Sequence, residues 1–218
     1  MPAKRFAADL LFGVQILFAI IFGGGQIYRM LTTGKGVSIS WFVFWEVFLL
    51  LNLVLAMRAH RNQPSRVTRQ ALASYVLWVG IVSASIVVML VRKTGHWQSI
   101  DTVTTGIVAL GVVVTIVVAR IRGAKLADPI IKGWYAVFFK GVPQTTLAAN
   151  ILIIGSGAGL AGSTLIAGHV TVLTRLGQVI FSVKEAGWDR NRMGSALSEM
   201  ANELSWVVVT IAWLATKA

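Results

Sequence analysis

The sequence predicts an all-α membrane protein, with seven transmembrane helices arranged as two parallel triple-helix bundles joined by a linker helix (3+1+3). Three observations lead to this fold: a shortage of charge, seven long apolar segments, and an uneven distribution of basic residues between the loops. The chain has 218 residues, of which 56% are hydrophobic and 13% are charged. A soluble globular domain carries about 25% charged residues, so this chain has too few to cover its own surface in water.

Seven apolar segments of about 20 residues follow one another along the chain. They lie near residues 6–27, 41–57, 71–91, 103–119, 130–152, 162–183 and 196–215. The first contains one charged residue, Asp9, and the second contains one, Glu46, whereas the third and fourth contain none. We expect helices because an α-helix satisfies its own backbone hydrogen bonds where water is absent. Buried helices of a soluble protein would show polar faces, which these segments lack.

Basic residues are concentrated in alternate loops. One side of the membrane collects 13 of them: Lys4, Arg5, Arg58, Arg61, Arg66, Arg69, Arg120, Arg122, Lys125, Lys132, Lys184, Arg190 and Arg192. The other side collects five: Arg29, Lys35, Arg92, Lys93 and Lys217. The excess predicts a cytoplasmic N-terminus and an external C-terminus. The expected location is the plasma membrane of a prokaryote. Topology and anionic lipids explain the net charge of +12, so no nucleic-acid partner is expected.

An internal repeat relates the first three spans to the last three. Superposing Trp78 on Trp206 aligns Ser74 with Asn202, and a second superposition places Gln26 on Gln144. The fourth span is apolar, and its polar residues are all small, as expected of a linker. One extra crossing gives both triplets the same orientation, with the expected site between them near the midplane. The predicted units are residues 6–93, 101–121 and 128–216.

Two segments carry a resemblance to a known family. They are "GQIYRMLTTGKGVSISWF", from Gly25 to Phe42, and "VPQ", from Val142 to Gln144. With the repeated seven-helix pattern, the chain resembles the PQ-loop superfamily, which includes the SWEET and SemiSWEET sugar transporters and the lysosomal amino-acid exporters. The resemblance implies transport of a small polar solute, such as a sugar, amino acid or organic acid, by alternating access between the bundles. The first motif departs from the family, because it has Gly25 in place of proline.

Proline and glycine in the two motif helices are candidate hinges. Pro143 removes a backbone hydrogen bond and clashes with the preceding turn, and Gly25 permits bending because it has no side chain. In this interpretation Gln26 and Gln144 hold the broken turns, whereas the alternative is a static kink. Lys140, about one turn before Pro143, is expected to extend to the membrane interface.

Polar and aromatic residues on the third and seventh spans form the candidate substrate site: Ser74, Trp78, Asn202 and Trp206. By the resemblance, Asn202 matches one asparagine of a sugar-binding pair and Ser74 replaces the other. Amides and hydroxyls can replace the hydration of a solute, and indole faces can pack against its C–H surface. Helix packing or an interfacial belt is the alternative role of the two tryptophans.

Ionised residues within the spans are expected to face partners or a cavity, because a charge in the bilayer is costly. We expect Arg175 to pair with Glu46, Glu199 or Glu203. Such a pair is either a structural lock or part of proton coupling through a glutamate with a raised pKa. His169 is expected to be a packing residue with one hydrogen bond.

No catalytic constellation, metal-ligand cluster or cofactor motif emerges, so neither an enzyme nor a cofactor is expected. The G-x-G-x-x-G pattern from Gly157 to Gly162 lacks the surroundings of a dinucleotide-binding fold and is expected to form a tight turn. The expected partners are a small-molecule solute and the lipid bilayer, and a homo-oligomer is left open. Two functions remain: a transporter, with or without proton coupling, and a receptor or scaffold that binds a peptide or lipid without moving it.

Overall fold

The computed structural model describes residues 2–217 of the chain, without the side chains of residues 2–5 and 7. Within this range all regular secondary structure is helical and no strand occurs, which confirms the all-α prediction. The helices are α1 (Pro2–Thr32), α2 (Ile39–Asn62), α3 (Arg66–Arg92), α4 (Ser99–Ile121), α5 (Pro129–Ile154), α6 (Gly162–Ala186) and α7 (Arg190–Ala215).

Six of the described helices, α1 to α6, are long and apolar enough to cross a membrane. Their number and length indicate an integral membrane protein. Helix α7 has 26 residues but is more polar, because Glu199, Asn202 and Glu203 lie within it. It does not qualify as a span by the same measure, so the seventh crossing stays a prediction.

Polar caps determine where three helices begin. Ser65 forms a capping box with Thr68 at the start of α3. The Asp128 carboxylate accepts a hydrogen bond from the backbone N–H of Ile130 (3.0 Å) before α5, and the Asp189 carboxylate does the same for Arg192 (2.8 Å) before α7. All three caps lie at the end of the bundle where α1 begins, which we call the N-terminal end.

The helices pack in the same order in the two halves of the chain. Helix α3 contacts both α1 and α2, and α7 contacts both α5 and α6, so the third helix of each set lies between the other two. The sets join side by side, α1 against α6 and α2 against α5. Helix α4 contacts only α5 and α2 to any extent and lies outside this arrangement.

Helix α5 contains a widened turn near its middle. Residues Val137–Gly141 form a π-helical segment, in which the backbone N–H of Val142 donates to the carbonyl of Val137 five residues earlier. Pro143 follows immediately and has no N–H to continue the normal ladder. The extra residue in the turn relieves the clash that the proline ring would cause, and such segments are frequent at functional sites.

At the end opposite the N-terminus, loops from the two halves are bonded to each other. The backbone N–H of Gly159, in the α5–α6 loop, donates to the carbonyl of Lys35 (2.8 Å), in the α1–α2 loop. Gln26 Nε2 donates to the carbonyl of Gly159 (2.9 Å). Asn150 Nδ2 donates to the carbonyl of Gly36 (3.2 Å), so each half reaches into the loop of the other. This end of the protein is closed.

Candidate functional site

A small cavity of about 40 Å³ lies between the two halves, near the middle of the helices. Every described helix except α4 contributes to its wall. The contributors include Phe22 (α1), Trp45 (α2), Trp78 (α3), Gln144 (α5), Arg175 (α6) and Asn202 (α7). The absence of α4 from this wall agrees with its position outside the two three-helix sets.

Five aromatic side chains separate the cavity from the closed end. The Phe22 ring meets Trp45 edge to face (centroids 5.5 Å apart) and Trp78 in the same manner (5.3 Å). Trp41 stacks on Trp45 (5.7 Å), and its ring lies 5.8 Å from Trp206. All five are buried. Trp78 and Trp206 therefore lie inside the protein and not in an interfacial belt.

Side-chain amides join α5 to α7 at the cavity wall. Gln144 Nε2 donates to Asn202 Oδ1 (2.9 Å), and the Ser205 hydroxyl donates to Gln144 Oε1. Gln144 and Asn202 both line the cavity. A solute that reached them would find a buried amide pair already held in place by the two helices.

A wider vestibule of about 570 Å³ lies between the cavity and the N-terminal end. Helices α1 and α3 form one side of it, and α6 and α7 form the other. Ser74 lies in this vestibule, not in the cavity. Tyr75 and Arg175 line both spaces and form the boundary between them. The cavity is therefore approached from the N-terminal end.

Arg175 has a defined set of partners at this boundary. Its Nη1 lies 3.5 Å from Glu199 Oε1, so of the three carboxylates considered from the sequence it pairs with Glu199. With its amide oxygen turned toward the guanidinium, Gln15 accepts hydrogen bonds from Arg175 Nη2 (3.0 Å) and Nε (3.2 Å), and from the Ser74 hydroxyl (3.2 Å). Gln15 and Ser74 belong to the first half, so this cluster joins the halves across the vestibule.

The other two glutamates considered from the sequence, Glu46 and Glu203, have partners elsewhere. Glu46 Oε1 accepts from the Ser83 hydroxyl (2.7 Å) between α2 and α3. Glu203 Oε1 lies 2.6 Å from His169 Nδ1, and His169 Nε2 lies 2.9 Å from the Thr210 hydroxyl. His169 therefore makes two polar contacts, where one was expected. Neither Glu46 nor Glu203 belongs to the cavity wall.

Lys140 lies in the cavity wall. The prediction that its side chain extends to the membrane interface was wrong. That side chain is 5% exposed. The ammonium group faces the Phe48 ring, with Nζ 5.5 Å from the ring centroid. Lys140 belongs to the π-helical segment of α5, and the widened turn sets the direction of its side chain.

The hinge candidates lie on the two helices where the halves meet. Pro143 is buried directly after the widened turn of α5. Gly25 lies within unbroken α1, where an added Cβ would collide with the Ser163 hydroxyl of α6. Gln26 and Gln144 bind other elements, namely the α5–α6 loop and α7, and make no described hydrogen bond to their own turns.

Several residues of the site were not predicted from the sequence. Phe22 and Trp45 complete the aromatic cluster, and Gln15 holds Arg175. A signal for Trp45 existed, because Trp41 and Trp45 are four residues apart and share one helix face. Gln15 was also detectable as an isolated amide within an otherwise apolar span. Phe22 gave no such signal, since it lies among many similar apolar residues.

Comparison of the chain with protein-family models, with curated proteins and with solved structures found no match in any of the three.

Proposed function

We propose that the protein is a membrane transporter that moves a small polar solute by alternating access between two triple-helix bundles. One observation carries the proposal: a cavity walled by six helices is open toward one end of the protein and closed toward the other. A transporter of this type needs a site between two halves and a barrier on only one side at a time.

In this proposal α1–α3 and α5–α7 are the two bundles, and α4 is the linker. The packing order supports it, because α3 and α7 are the central helices of their sets and α4 stays outside. The arrangement agrees with the resemblance to the PQ-loop superfamily. With the N-terminal end in the cytoplasm, as the loop charges predict, the described conformation would be the inward-open state.

The proposed movement closes the vestibule and separates the loops at the opposite end. The interface between α1 and α6 and that between α2 and α5 would rock, with bending at the widened turn before Pro143. Gly25, packed against α6, is the weaker hinge candidate. Trp78, Asn202 and Trp206 would contact the solute in the cavity, and Ser74 would meet it in the vestibule.

Proton coupling is an optional part of this proposal. The Glu203–His169 pair lies beside the cavity, since His169 is 6.5 Å from the ring of Trp206, which lines it. Glu203→Gln would abolish the response of solute uptake to an imposed pH gradient if the pair carries the proton. Unchanged gradient-driven uptake would restrict the pair to a structural role.

Flux measurements test the transport function directly. A thermal-shift screen of sugars, amino acids and organic acids on the detergent-purified protein would first identify solutes that bind. Their uptake is then measured in proteoliposomes, with protein-free liposomes as the control. Net flux supports the transporter, whereas binding without flux would support the alternative of a receptor or scaffold.

Cysteine labelling tests alternating access separately. The chain contains no cysteine, so single cysteines can be introduced without background labelling. Ser195→Cys lies in the vestibule and should react with an impermeant maleimide from the N-terminal side. Val37→Cys, at the closed end and 3% exposed, should react from the opposite side only when solute drives the conformational change. Val37→Cys that stays protected while solute is transported would contradict the proposed movement.

A further inference from the structure

The Lys140 ammonium is an unusual feature of the central cavity. Lys140 lies near the middle of α5 and is 5% exposed. Among the residues that the structure describes, it has no hydrogen bond and no salt bridge; its ammonium faces the Phe48 ring and interacts at longer range with Glu199 and Arg175. A buried cation is costly unless an anion or several acceptors compensate it.

Protein carboxylates near the cavity have other partners. Glu199 pairs with Arg175 and lies in the vestibule wall, not in the cavity wall. Glu203 is bonded to His169, and Glu46 is bonded to Ser83. Lys140 and Arg175 therefore line the cavity and no carboxylate of the described residues does, while Glu199 at its boundary compensates one of the two cations. The site has an excess of one positive charge.

We infer that the transported solute is a small monocarboxylate, whose anionic group binds beside Lys140. The inference rests on the proposed transport function and names the class of solute. One negative charge would neutralise the excess, and the Gln144 and Asn202 amides in the same wall could bond to the carboxylate oxygens. Trp45, Trp78 and Trp206 would exclude water from the closed side of the bound carboxylate.

The size of the cavity agrees with a small solute. Its volume is about 40 Å³, well below the ~150 Å³ of a cavity that accepts a benzene ring. A carboxylate group fits this space, whereas a sugar ring does not fit in the described conformation. The remainder of a short acyclic solute can extend past Tyr75 toward the vestibule.

Tryptophan fluorescence measures binding directly, because three indoles line the cavity. Protein in a neutral detergent is titrated with lactate and with lactamide, which has nearly the same size but no charge. Saturable quenching by lactate, and at least about tenfold weaker binding of lactamide, is the expected result. Equal affinity for the two compounds would overturn the inference without any mutation.

Variants of α5 test the role of Lys140. Lys140→Gln should weaken lactate binding about 10- to 100-fold, the range expected for a lost charge-assisted hydrogen bond, and Lys140→Arg should retain most of it. Lys132→Gln is the matched control, since Lys132 is on the same helix but lines a groove beside α2 and α4. Equal losses in the Lys140 and Lys132 variants, or no loss in Lys140→Gln, would contradict the inference. If Lys140→Gln does not fold, the Lys140→Arg variant and the lactate–lactamide pair still decide it.

Two further experiments are needed. One distinguishes a lipid headgroup from a free solute as the source of the anion, and the other distinguishes failure of the monocarboxylate inference from failure of the transport proposal. Addition of phosphatidylglycerol to the micelles should leave lactate quenching saturable; quenching by this lipid with none by lactate would assign the cation to a lipid headgroup and reject the solute. Lactate uptake in proteoliposomes would support both the transport proposal and the monocarboxylate inference. Uptake of neutral solutes without lactate binding would refute the monocarboxylate alone, and lactate binding without any flux would refute transport alone.

Discussion

Substitution of Gly168 by alanine should destabilise the protein through the tryptophan that closes the cavity. A Cβ at this position of α6 would lie 2.6 Å from Cε2 and 2.9 Å from Cζ2 of Trp206. Retreat of the indole is restricted, because it is 2% exposed and packs against Phe22 and Trp41. Its movement would also break the hydrogen bond from Nε1 to the carbonyl of Leu165 (3.1 Å).

The size of this effect follows from three contributions. Overpacking of a dense core costs about 1–3 kcal/mol, and a buried donor left without its acceptor costs about 1–3 kcal/mol. Alanine favours the helix over glycine by up to about 1 kcal/mol. The net expectation is a loss of about 1–6 kcal/mol in the free energy of unfolding.

Thermal unfolding in detergent, followed by near-ultraviolet circular dichroism, measures this loss and reports on the indole environment. Gly177→Ala is the matched control, because Gly177 is on the same helix and a Cβ there would meet no atom within 4 Å. It should be neutral or slightly stabilising. Equal unfolding temperatures for the two variants would refute the claim that Trp206 is held tightly against α6.

Three further substitutions have defined expected outcomes. Gly194→Ala should lower the unfolding temperature, since its Cβ would collide with the backbone of Pro129 where α7 meets α5; an unchanged temperature would show that these helices can separate freely. Arg175→Met should destabilise the protein by about 1–3 kcal/mol, less than for a fully buried pair, and an added Glu199→Gln should recover part of the loss in the same unfolding assay. Pro143→Ala should slow solute uptake about fivefold while binding affinity stays the same, because one restored backbone hydrogen bond of about 1 kcal/mol stiffens the turn; equal rates would remove the hinge.

The helices were predictable because each is a long apolar run between polar loops, a pattern that depends on neighbouring residues alone. The one helix that fell short as an apolar span, α7, is also the one whose Glu199, Asn202 and Glu203 were recognised as candidate site residues. The polar residues that lower the hydropathy of α7 are thus the same residues that identified it as part of the candidate site.

Side-chain directions and partners were much less predictable. Lys140 was expected at the interface because a long lysine side chain commonly extends there from an apolar helix. The widened turn then shifts the helix face by one residue, which periodicity does not reveal. Arg175 had three possible carboxylate partners; the packing of α6 beside α7 excludes Glu46, and His169 occupies Glu203, which leaves Glu199. Gln26 and Gln144 bond to residues 133 and 58 positions away, beyond the range of local patterns.

Three of the bonds that join the loops at the far end of the protein are made to backbone carbonyls. Gln26, Asn150 and the N–H of Gly159 each donate to a carbonyl of the opposite half, and no carboxylate takes part in these contacts. Water can replace each of these acceptors when the loops part, so no group is stranded by opening. None of these three bonds involves a group that titrates, so we expect them to be insensitive to acidity. In the proposed transport cycle, solute in the central cavity would then decide when they break.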